Sequence, residues 1–139
     1  MTGMNYFLAK SEPGVYSLDD LERDGRTLWD GVVNPQAVKA ILSWKPGDRV
    51  LIYHSGGVSA IVGVAKVLTA GRPDPKNAKS AVADLEFLRR LDPPTTLADV
   101  KQSGLFTSFA LVRQSRLSTM AVPPEFVEWL AARYPGVKW

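Results

Sequence analysis

The sequence predicts an α+β fold built on a curved, mainly antiparallel sheet. Three observations carry this. Apolar runs of strand length and short helical patterns follow one another without a regular βαβ alternation. Two β-branched runs, Arg49 to His54 and Ala60 to Leu68, are separated by the hairpin-like turn Ser55-Gly56-Gly57. The helical patterns are short, with start and stop signals close together. The sum is about five strands and four short helices.

The elements follow in order. Tyr6-Phe7-Leu8-Ala9 is a short apolar strand ended by the turn cluster Ser11-Glu12-Pro13-Gly14. Ser17 precedes a helix over Leu18 to Asp24: it is a good N-cap with an acid three residues on, and Gly25 stops the helix. Trp29-Asp30-Gly31-Val32 reads as a loop or brief strand. Asn34-Pro35 is an N-cap followed by proline at the first helical position, and Ala37, Val38, Ile41 and Leu42 recur at helical spacing. Lys45-Pro46-Gly47-Asp48 turns the chain into the two central strands. Gly63, inside the second, marks a bulge or a close backbone approach.

Gly71 to Ser80, with Pro73, Pro75, Lys76 and Lys79, reads as a polar surface loop. Ala81 to Leu91 fits a strand by alternation and a helix by its leucines; the strand is preferred because prolines bound it and the hairpin needs a partner. Thr96 caps a short helix over Leu97 to Gln102, stopped by Gly104. Leu111 to Ser118 reads as loop into strand. Pro123-Pro124-Glu125 opens a last helix to about Tyr134, with Phe126, Val127, Trp129 and Leu130 available for burial.

Length and composition narrow the function classes. The 139 residues suit one domain spanning 1–139, and 45% hydrophobic with 22% charged residues argues against disorder. The net charge of +3 permits an acidic partner without demanding one. With no cysteine, disulfide frameworks, zinc fingers, thiol nucleophiles and iron–sulfur clusters drop out; with one histidine, a multi-His metal site drops out within one chain. No apolar run approaches the ~20 residues of a membrane span, and Met1-Thr2-Gly3-Met4-Asn5 lacks signal-peptide character. The expectation is a cytoplasmic monomer with no cofactor and no membrane partner.

Several constellations carry chemistry. Trp29 lies among Asp30, Gly31 and Asn34, outside any periodic pattern, so it either offers a ring face to a planar ligand or plugs one end of the fold. Trp129 and Trp139 read as structural. Lys10, Ser11 and Glu12 follow a strand end, as do Tyr53, His54 and Ser55; each trio offers hydrogen-bonding groups or is an ordinary strand terminus. No Gly-x-Ser-x-Gly elbow or phosphate loop is present. From Val100 to Pro124 there is no acid, while Arg113 and Arg116 flank Gln114 and Ser115, a set available for phosphates. Lys76 and Lys79 extend that set on charge alone.

Taken in order, Tyr6 to Pro13, Tyr16 to Leu21, Trp29 to Ala37, Gly47-Asp48, Tyr53-His54-Ser55, Ile61 to Ala65 and Leu111 to Ser118 closely resemble the EVE domain family, from about residue 5 to 130. The resemblance implies a PUA-like fold, a partly open barrel with short flanking helices, and kinship with YTH and ASCH domains. It implies a reader of a modified base in DNA or RNA. Its pocket would comprise Lys10, Ser11, Glu12, Trp29, Asn34, Tyr53, His54 and Ser55, flanked by Arg113, Gln114, Ser115 and Arg116. Val33 and Pro35 depart from the family, whose members often carry an aromatic or basic residue there, and the 71–80 loop is shorter than in the animal proteins. The expected function is a non-catalytic binding module. The alternatives are an enzyme acting on a modified base or nucleotide, with His54 and Glu12 as acid and base, and a pocket for a free small molecule.

Overall fold

The computed structural model describes residues 4–139; Met1 to Gly3, part of the stretch read for signal character, lie outside them. Strand β1 (Tyr6–Ser11) buries Phe7, Leu8 and Ala9. Helix α1 (Leu18–Asp24) starts with a full capping box: Ser17 Oγ accepts from the Asp20 N–H, and the Asp20 carboxylate accepts from the Ser17 N–H. Gly25 ends it at φ 77°, a conformation costly for any residue with a Cβ. Strand β2 (Arg26–Trp29) leads through a loop to α2 (Pro35–Leu42), where Asn34 Oδ1 accepts from the N–H groups of Gln36 and Ala37.

Strands β3 (Arg49–His54) and β4 (Ala60–Val67) form the central hairpin. They are followed by β5 (Arg72–Asp74), the long β6 (Asn77–Thr96), α3 (Leu97–Ser103), α4 (Ala110–Arg113), β7 (Thr119–Ala121) and α5 (Pro124–Ala132). The described residues thus hold seven strands and five helices.

Three elements differ from the sequence expectation. Residues 71–80 are not a loop but the β5–β6 hairpin, shaped by Asp74 Oδ1 accepting from the Lys76 N–H and Asn77 Oδ1 from the Lys79 N–H. The strand expected at Ala81 to Leu91 extends at both ends, because one half pairs with β5 and β2 and the other with β4. Leu111 to Arg113 are helical rather than loop; α4 is a single short turn that buries Leu111, and the strand begins only at Thr119.

The sheet order is β2-β6-β4-β3-β1-β7, with β5 beside β6. All pairings are antiparallel except β1 with β3, which run parallel with Tyr6 opposite Arg49 and Ser11 opposite His54. Both faces of the sheet are buried. Leu8, Leu51, Tyr53, Ile61 and Val64 join a cluster with Phe106, Leu111, Phe126 and Leu130 from the C-terminal helical region. Their neighbours in sequence, Phe7, Ala9, Val50, Ile52, Ala60 and Ala65, join a second cluster with Leu18 and Leu21 of α1, Trp29 and Trp44. Period-two alternation therefore sends side chains to two cores rather than to core and water.

Gly63 fulfils both expectations placed on it. The β3–β4 and β4–β6 registers shift beside it, and a Cβ there would sit 2.7 Å from Leu18 Cδ1 and 2.9 Å from the Arg89 carbonyl oxygen. Gly71 is tighter: its N–H donates to the Trp44 carbonyl, and a Cβ would meet the Ile41 carbonyl oxygen at 1.7 Å. The hairpin at 72–79 is thereby held against the end of α2. Gly71→Ala should lower the unfolding free energy by about 1–3 kcal/mol in urea titrations. Gly14→Ala, where nothing lies within 4 Å, should stay within about 0.5 kcal/mol of the unaltered protein.

Candidate functional site

The sheet does not close, and its two ends face each other across a cavity of about 710 Å³. That is a size suited to a small ligand or a single base. One wall is the end of β1 and the segment after it, with Lys10, Ser11, Glu12, Val15 and Tyr16. The other is the end of β2 and the loop to α2, from Thr27 through Asn34. Ser118, just before β7, completes the lining.

The first wall is shaped by the chain's own polar groups. The Glu12 carbonyl accepts from the N–H groups of Val15 and Tyr16, and Ser11 Oγ donates to the Tyr16 carbonyl. Tyr16 Oη donates to Asp24 Oδ2 at 2.8 Å, which ties the segment to the end of α1. The Ser11 proton is thus spent on architecture. The Glu12 carboxylate is exposed and has no ion pair among the described residues.

The second wall hangs on Trp29. Its side chain is 7% exposed and belongs to the core cluster, and the residue also lines the cavity. Past β2 the chain stays beside β6, because Ser80 Oγ donates to the Val32 carbonyl. Asn34 spends its amide oxygen on the helix cap, leaving only its Nδ2 donor for a ligand.

The rim is apolar. Val15, Leu28 and Val33 are 77%, 45% and 57% exposed, and all three line the cavity. Three exposed apolar side chains thus gather at one mouth. The polar content is acceptor-rich: the carboxylates of Glu12 and Asp30 are both exposed. The cation of the lining, Lys10, is already engaged. Its Nζ donates to the Ser115 carbonyl at 3.0 Å and lies 5.4 Å from the centre of the Tyr53 ring, and burial lowers its pKa.

Lys10, Ser11, Glu12, Trp29 and Asn34 are therefore brought together at the cavity. Tyr53, His54 and Ser55 are not. Tyr53 is buried beneath Lys10, with burial pushing its phenol pKa up. The Ser55 N–H donates to the Ser11 carbonyl. His54 Nε2 accepts from the Leu18 N–H at 3.0 Å, supplying one of the orphan donors at the start of α1 with a partner. Arg113, Gln114, Ser115 and Arg116 are all exposed around the turn after α4; the Lys10 to Ser115 bond sets that turn beside the first wall. Neither arginine has an ion pair among the described residues.

Sequence reasoning missed Tyr16, Asp30 and the apolar rim. Asp30 had a signal, since no cation lies within three residues of it. Of the rim, only Val33 stood out in the sequence, as an apolar departure beside Asn34; the exposure of Leu28 depends on where β2 ends.

The sequence matches the EVE domain family over residues 5–133. The chain belongs to the EVE domain family. The thymocyte nuclear protein 1 of Rattus norvegicus is 27% identical over 162 residues, covering 91% of this EVE chain and 72% of the rat protein. The NMR structure of a protein from Rhodopseudomonas palustris superposes with a TM-score of 0.88 at 32% identity, covering 98% of this chain and 97% of that one. The crystal structure of human THYN1 in complex with DNA containing 5-methylcytosine superposes with a TM-score of 0.85 at 24% identity, covering 96% and 99%. The open, curved sheet of this EVE domain is the PUA-like arrangement of these neighbours. Among the described residues no group of three or more His, Asp or Glu is placed to hold a metal ion, and no helix is long and apolar enough to cross a membrane.

The His54 contact has a pH signature. Desolvation holds its pKa below the ordinary 6.5, against the weaker pull of Asp19 and alongside the push of Arg90. The unfolded chain then binds the proton more readily, so stability falls as pH drops through the usual imidazole range. His54→Gln keeps an acceptor without titrating. Melting temperatures recorded from about pH 7 to pH 5 should decline less steeply for this variant than for the unaltered protein.

Proposed function

We propose that this EVE domain is a non-catalytic nucleic-acid-binding module that takes one modified base into the cavity between β1 and β2. The observation that carries the reading is the cavity's make-up: aromatic rings of Trp29 and Tyr16, exposed carboxylates of Glu12 and Asp30, and the unpaired Arg113 and Arg116 close by. A base is flat, apolar on its faces and polar at its edge. Contact with an aromatic side chain contributes about 1–3 kcal/mol. Glu12 and Asp30 accept from an exocyclic amino group, as carboxylates do from cytosine, and Asn34 Nδ2 and Ser118 offer donors. That human THYN1 is seen with DNA containing 5-methylcytosine supports a nucleic-acid partner for this chain too.

The apolar rim suits a base with an added alkyl group. One buried methyl contributes about 0.8 kcal/mol, about fourfold in affinity. Stronger discrimination has to come from the carboxylates, which would be left unpaired by a base lacking an amino group. Arg113 and Arg116 meet flanking phosphates and give the binding its salt dependence.

An enzymatic reading would need an acid and a base converging on the cavity. The pair considered from sequence is not assembled: His54 lies outside the lining, with its Nε2 held by the Leu18 N–H. Binding to a modified oligonucleotide should therefore be stoichiometric and leave its mass unchanged in mass spectrometry; a mass change would sink the reading. Equal, salt-insensitive affinity for nucleoside and oligonucleotide would instead identify a small-molecule pocket.

Truncating Trp29 to alanine would cost about 3–5 kcal/mol of stability, confusing the test. Trp29→Phe fills most of the core space. It should keep a cooperative melt and reduce the preference for modified over unmodified DNA from about fourfold to about twofold or less, read by fluorescence anisotropy. Arg113→Ala should leave that preference intact and flatten the plot of log affinity against log salt by about 0.7–0.9. Unaltered preference in the first variant would remove Trp29 from the site.

A further inference from the structure

We infer that the β5–β6 hairpin is a second phosphate-binding element, so that the nucleic-acid strand is gripped on both sides of the base in the cavity. This rests on the reading of the cavity as a base site. The placement follows from strand register. Trp29 is opposite Ala83 in the antiparallel β2–β6 pair. Continuing that register past β2 sets Val32 opposite Ser80, which is where Ser80 Oγ donates to the Val32 carbonyl. Carried one step further, the same register would put the exposed rim residue Val33 opposite Lys79. The hairpin carrying Lys79 and Lys76 thus adjoins the mouth of the cavity on its β2 side.

The hairpin is built to hold its shape. Gly71 locks its base against α2, and Asp74 and Asn77 fix the turn through the backbone N–H groups of Lys76 and Lys79. Arg72 is committed elsewhere, to Asp84 and Thr69. Lys76 and Lys79 are exposed and have no ion pair among the described residues. Across the gap, on the β1–β7 side, Lys10 holds the turn bearing Arg113 and Arg116 at the other wall. Free cations therefore flank both edges of the open sheet, while the lining between them carries the carboxylates of Glu12 and Asp30. Phosphates are repelled from the centre and attracted to both flanks. A strand whose base enters the cavity satisfies this pattern, with one phosphate run toward the hairpin and the other toward Arg113.

The test uses the full chain and a short single-stranded DNA carrying one 5-methylcytosine at its centre or near either end. Affinity is read by anisotropy from about 50 to 200 mM salt. Lys76→Ala with Lys79→Ala should reduce the salt slope by about 1.4, two contacts at about 0.7 each, without changing the preference for the modified base. In the unaltered protein, moving 5-methylcytosine to either end should weaken binding. In the double variant, the move should cost nothing at the one end whose missing phosphates faced the hairpin. Lys76→Glu with Lys79→Glu should weaken binding further at an unchanged melting temperature. An unchanged slope with the base preference intact would overturn the second grip and leave base reading standing. Absence of any base preference in the unaltered protein would strike base reading, and the second grip with it.

Discussion

A sheet that is apolar on both faces is the constraint from which the rest of this fold follows. Residues 7 to 9 of β1 alternate between two cores, as do those of β3 and β4. Each core then needs a cover. The C-terminal helices supply one with Phe106, Phe126 and Leu130; α1, Trp29 and Trp44 supply the other. Wrapping the sheet around the second core brings its ends toward each other without pairing them. The cavity is the space that remains. It is a consequence of how the apolar faces were covered, not an addition to a finished scaffold.

The polar side chains around that space divide by whether the backbone claims them. Ser11, Asn34 and His54 each partner a main-chain group, and Lys10 reaches the Ser115 carbonyl. Those bonds fix the two walls, the start of α1 and the flanking turn, so Lys10, Ser11 and Asn34 position the cavity as well as line it, while His54 acts from outside the lining. Glu12 and Asp30 are left with their full accepting capacity. An acceptor-rich centre thus sits on a chain of positive net charge.

Local chemistry made much of this legible in advance. Ser17, with Asp20 three residues on, Asn34, with Pro35 after it, and Thr96 cap helices where the sequence placed them. The alternation at 81–91 was strand, and the EVE resemblance led to the right family and fold. What escaped was set by partners distant in sequence. Parallel pairing of β1 with β3 leaves no local trace, since it is decided by what lies between them. The hairpin at 72–79 looked like loop because its short strand contains Pro73 and pairs only with the start of β6. Tyr53 and His54 entered the expected pocket through the family resemblance, yet the cavity is lined without them: Tyr53 is buried in the first core and His54 Nε2 accepts from the Leu18 N–H. The cavity's apolar rim depended on where β2 stops, which no pattern of three or four residues encodes.

Trp29 sits in the core, whereas Val15, Leu28 and Val33 are in water. This difference in exposure has an evolutionary reading. Substitutions at the rim change what the mouth touches while costing little folding free energy, typically within about 0.5 kcal/mol. Those at Trp29 disturb a buried core residue together with the cavity wall. New ligand preferences are thus accessible by single steps at the rim, and the indole beneath acts as an anchor that such drift leaves in place. A designer seeking altered selectivity from this scaffold would randomise the three rim positions and keep the indole fixed.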